Sequence, residues 1–179
     1  MSKFYFLLWL RWSLRVTLCS TVFASVLAAF VTLYIYISQG MPTFGSEVVK
    51  ALVDVFIFWF PIFWSFTLLL ALFRSLKYIF NTCISGYELK LYTCDLKELI
   101  DNIGYGDLVK VWRKWFMLII WLVGSLMVLS LAYTYIFTSY NGVFEWFDIY
   151  WLFGFILISG YFSFIMMSAR CKRVKVAKC

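Results

Sequence analysis

Asp54 is the residue that first asks for chemistry, because it is a carboxylate set inside a long apolar run. An ionisable group at membrane depth can relay a proton or hold a cation. Lys50 precedes it by four residues, the spacing at which opposite charges meet on a helix, so an ion pair near the end of that run is the expected role. The chain has no histidine, which removes the commonest general base and metal ligand. Of its five cysteines, Cys83, Cys94, Cys171 and Cys179 stand in the charged segments and form no C-x₂₋₄-C pair. Zinc is therefore not expected. Those segments are expected to face a reducing cytoplasm, so disulfides are not expected either, and the thiols should be free. No enzymatic activity and no cofactor are expected.

The elements that must position these residues are apolar helices. The chain has 179 residues, 64% of them hydrophobic and 14% charged, far outside the range of a soluble domain. Four apolar runs, Val16–Ile37, Ala51–Phe73, Trp115–Phe137 and Ile149–Ala169, are each long enough to cross about 30 Å of hydrocarbon as helix. They lack the alternation of membrane strands. The sequence thus predicts an all-α integral membrane protein with four spanning helices. Pro61 sits near the middle of the second and is expected to kink it.

Orientation follows from the cations. Of sixteen Lys and Arg, all but Lys50 lie on one side: three before the first helix, seven in 74–114 and five in 170–179. Basic residues resist translocation, so both termini and the 74–114 loop are expected to be cytoplasmic. The expected organisation is an interfacial segment 1–15, spans 16–37, 51–73, 115–137 and 149–169, outer loops 38–50 and 138–148, a small cytoplasmic loop domain 74–114, and a basic tail 170–179. No cleavable signal peptide is expected, since the early apolar stretch is short and broken by Arg11 and Arg15. The address expected is a bacterial inner membrane.

Within the loop, Gly104-Tyr105-Gly106-Asp107 resembles the selectivity filter of the potassium-channel family, in which carbonyls of a T-V-G-Y-G loop replace the ion's hydration shell. The resemblance covers about five residues. It implies an apolar pore helix just before the glycines, whereas the segment present is "CDLKELIDN", whose charges each cost on the order of 3 kcal/mol at membrane depth. The same residues read as a short helix opening at Asp95 and ending at Gly104, a turn at Gly106, and Asp107 capping the next helix. A strand is expected in "YELKLYT".

Small residues recur along the first helix at Thr17, Thr21, Ser25, Ala28 and Thr32, and again at Gly124/Ser125 and Ser159/Gly160/Ser163; such faces permit close helix packing and self-association. The basic tail and loop suit anionic lipid and an acidic soluble partner, and no nucleic acid. Lys90, Lys97, Arg113, Lys172, Arg173 and Lys175 are the candidate contacts. The function expected is an oligomeric anchor, scaffold or sensor subunit of the kind used in phage-defence, secretion or motor assemblies. The alternative is a pore-forming or ion-conducting subunit.

Overall fold

A computed structural model describes residues 2–92, 104–137, 148–170 and 174–179. Its elements are α1 (Ser2–Ser38), α2 (Ser46–Lys77), β1 (Tyr87–Leu91), α3 (Tyr105–Phe137), α4 (Ile149–Arg170) and β2 (Val174–Lys178). Four of the helices are long and apolar enough to cross a membrane, over Lys3–Ser38, Ser46–Lys77, Leu108–Ile136 and Ile149–Met167. A mostly helical, multi-pass membrane protein follows. At 1.5 Å per residue, the 37 residues of α1 reach about 55 Å, well beyond the hydrocarbon thickness. The helix runs unbroken from the 1–15 segment into the first span, since no Pro or Gly interrupts Ser2–Ser38. α2 likewise continues through Pro61.

The chain divides into two compact units. In the unit Leu14–Arg74, Val16, Ser20, Ala24 and Ala28 are the buried face of α1, each at 0% exposure. Of the expected row, Ala28 lies on this face, whereas Thr17, Thr21, Ser25 and Thr32 beside it are only half-buried. Its polar member is used. Trp64 Nε1 donates to Ser20 Oγ at 3.0 Å, and the Thr67 hydroxyl lies 3.0 Å from both Ser20 O and Phe63 O. Trp64 is buried in this contact, whereas Trp59 is half-buried and stacks on Phe63. Lys50 and Asp54, both exposed, make no ion pair, so the four-residue spacing alone does not draw them together. The α2 N-cap is Gly45, whose carbonyl accepts from Val49 N at 3.1 Å.

The unit Met1–Ser13 with Ser75–Cys179 contains α3, α4 and a two-stranded antiparallel sheet. The register is Tyr87↔Lys178, Leu89↔Val176 and Leu91↔Val174. Three features of the sequence reading change here. The 170–179 tail is not a free basic strip, because Val174–Lys178 folds as β2. Gly104 caps α3, accepting from Leu108 N at 3.1 Å, and the helix already includes Gly106 and Asp107, so there is no second turn and no cap at Asp107. Cys83 and Cys179 are joined in a disulfide. The return of β2 to the start of β1 sets their Cα atoms 6.1 Å apart, within bonding geometry, across 96 residues of sequence. The expected short helix at 95–103, with Cys94 and Lys97, lies outside the described residues, as do Cys171, Lys172 and Arg173.

Candidate functional site: a clasped sheet on an aromatic core

α1, α3 and α4 meet in a core of indoles and small residues, and Phe4 on α1 reaches the sheet at Tyr87 (centroids 6.0 Å). Phe4, Leu8 and Trp12 recur every four residues on α1 and are each 2% exposed. Trp12 packs edge-on against Trp115 (centroids 5.8 Å, 86°) and Phe164 (5.3 Å, 85°). Gly160 makes this possible: a Cβ there would stand 2.4 Å from the Trp12 ring. Trp115 Nε1 donates to Ser163 Oγ at 2.9 Å, Ser163 donates to Gly160 O at 2.7 Å, and Trp9 Nε1 donates to Leu157 O at 2.7 Å. Trp12 Nε1 and Ser159 Oγ are buried with no hydrogen-bond partner among the described residues. Nothing in this cluster can act as a base or bind a metal; it holds three helices at fixed separation by dense packing.

The sheet is assembled from local turn chemistry. Ser85 and Gly86 both have positive φ, 52° and 80°, the pattern of a type I′ turn, which glycine adopts without a Cβ penalty. Ile84 and Tyr87 close that turn by exchanging backbone bonds at 2.8 and 3.0 Å, and Asn81 N donates to Leu89 O at 3.0 Å. The outer edge of β1 is thereby covered by the chain before it. Leu89, Leu91 and Val174 point inward at 1% exposure or less, so Glu88, Lys90, Lys175 and Ala177 share the outer face.

Two candidate contacts meet on that face. Lys90 and Lys175 are directly opposed in the register, an arrangement that like charges disfavour. Each is compensated separately: Lys90 Nζ lies 2.7 Å from Glu88 Oε1, and Lys175 Nζ sits 5.5 Å over the Tyr92 ring. Arg113 is exposed on the first turns of α3. The disulfide then ties Cys179, the residue after β2, to Cys83 ahead of the turn. Among the described residues no group of His, Cys, Asp or Glu could hold a metal ion.

The sequence reading missed the clasp, β2 and the indole core. The alternation Val174-Lys175-Val176 and the Ser85-Gly86 dipeptide ahead of "YELKL" were the available signals for a paired strand and a tight turn. A pairing across 96 residues has no local signal. No protein-family model, curated protein or solved structure matches this chain.

Proposed function

We propose that this protein is a non-enzymatic, oligomeric membrane anchor or scaffold that presents its basic face to a soluble partner. The supporting feature is the charge asymmetry of the sequence: if all four helices cross the membrane, fifteen of sixteen cations fall on the side that also carries the sheet. Specific recognition needs area, on the order of 800 Å² per partner, and the outer loops are too short to supply it. The same asymmetry favours a cytoplasmic position for that face in a bacterial inner membrane. Cytosolic disulfides are transient or redox-sensing, so the Cys83–Cys179 bond there is a redox-responsive clasp.

The test is affinity purification from the native host in mild detergent. A soluble protein should co-purify with the unmodified chain in a salt-sensitive manner and be lost on joint replacement of Lys172, Arg173 and Lys175 by Glu, with insertion and oligomerisation retained. Failure of any soluble protein to co-purify refutes the scaffold reading.

A further inference from the structure

The phase of the backbone ladder identifies one open edge. Cys179 N donates to Gly86 O at 3.2 Å, so residues 86 and 179 form a hydrogen-bonded pair. Alternation along an antiparallel pair then turns the amides of Lys175 and Ala177 toward β1, and those of Val174, Val176 and Lys178 away from it. Tyr87 and Leu89, in the same phase on β1, confirm the alternation, since their outward groups bond Ile84 and Asn81. Val174 is fully buried. Val176 is half-buried and Lys178 exposed, and among the described residues no backbone group pairs with their outward N–H and C=O groups.

We propose that this edge of β2 is a docking site for an extended acidic segment of the partner, which adds a third strand to the sheet. The occupant is identified by charge. Lys175 and Lys178 lie exposed on opposite faces of the edge strand, and neither has a carboxylate within ion-pair distance among the described residues, because Glu88 is engaged by Lys90. A strand laid beside β2 therefore meets a cation on each face and a valine between them. A glutamate or aspartate near each lysine, with a β-branched residue opposite Val176, completes the pairing. A second copy of β2 would bring its own lysines to an already basic edge. The strand is pre-formed by the clasp, which lowers the ordering cost of binding. The inference rests on the scaffold reading and deepens it.

The test uses the full chain, oxidised, in nanodiscs of zwitterionic lipid, titrated with a short fluorescent end-capped peptide built on Glu-Val-Val-Glu, whose two glutamates, three residues apart, fall on opposite faces of a strand. The expected result is saturable, salt-sensitive binding, with no binding of the counterpart that has lysine at both glutamate positions. Val176→Pro deletes an outward N–H and no ladder bond to β1, so it should weaken binding at least about tenfold while hydrogen exchange at Lys175 and Ala177 stays slow. Lys175→Glu with Lys178→Glu should abolish it. Equal binding by Val176→Pro would show attraction by side-chain charge only and overturn the proposal. Absence of peptide binding, or a Val176-dependent self-association that the peptide does not compete with, would overturn it too. If the co-purifying host protein is lost on tail charge reversal yet retained by Val176→Pro, the scaffold reading survives and the edge-docking inference fails.

Discussion

Reduction of the Cys83–Cys179 bond should release β2 and leave the helices intact. β2 is five residues long, and fixing their backbone costs roughly 5–10 kcal/mol. Against this stand about five ladder hydrogen bonds at ~1 kcal/mol net each and ~2 kcal/mol from burying the Val174 side chain. The balance lies near zero, so a two-stranded pair is marginal by itself. The disulfide decides the outcome. Closing a loop of 96 residues contributes at most about 4.7 kcal/mol in a random chain, and less here because α3 and α4 inside the loop stay helical in the membrane. A tether worth even ~3 kcal/mol corresponds to more than a hundredfold in protection. Hydrogen exchange read by mass spectrometry on the full protein in nanodiscs, with and without reductant, should show the Lys175 and Ala177 amides accelerating by about that factor, with α3 and α4 unchanged. Cys83→Ser should behave as the reduced protein does. Exchange at those two amides that is indifferent to reduction would refute the argument, as would loss of helical protection throughout.

The indole core gives two further tests. Gly160→Ala drives a methyl into a Trp12 ring wedged between Trp115 and Phe164, and should cost about 1–3 kcal/mol in detergent unfolding assays, partly recovered by Trp12→Leu. Ser163→Ala removes the acceptor of the buried Trp115 N–H and should cost about 1 kcal/mol, with Ser163→Thr retaining most of the stability. Lys50→Gln and Asp54→Asn should act independently on stability, because the two residues form no ion pair; a coupling energy above about 0.5 kcal/mol would contradict that.

The helices were legible because continuous apolar runs of spanning length leave the backbone no other way to satisfy its hydrogen bonds in lipid. β1 was legible within "YELKLYT" for the same local reason, its alternation. β2 was obscured by charge. Four cations in 172–178 read as a lipid-facing strip, although Val174 and Val176 carry the period of a strand. The small-residue face of α1 was legible at Ala28 and not at Ser20, which faces Trp64 through a contact that only the fold creates. Gly160 looked like part of a generic packing motif, and the structure shows what it accommodates, a single indole ring. The clasp and the indole core depend on residues far apart in sequence, so composition and period could not reveal them.

Orientation carries the whole account, since a soluble partner, a redox-responsive clasp and a steering role for Lys175 and Lys178 all require the sheet to face the cytoplasm. Paired reporter fusions after Gly86, one active only in the cytoplasm and one only outside it, measure this directly. Cytoplasmic activity at Gly86, with external activity for the fusion after Gly40, is the predicted result. External activity at Gly86 would place the sheet in an oxidising compartment, make the Cys83–Cys179 bond a permanent staple, and contradict the scaffold account.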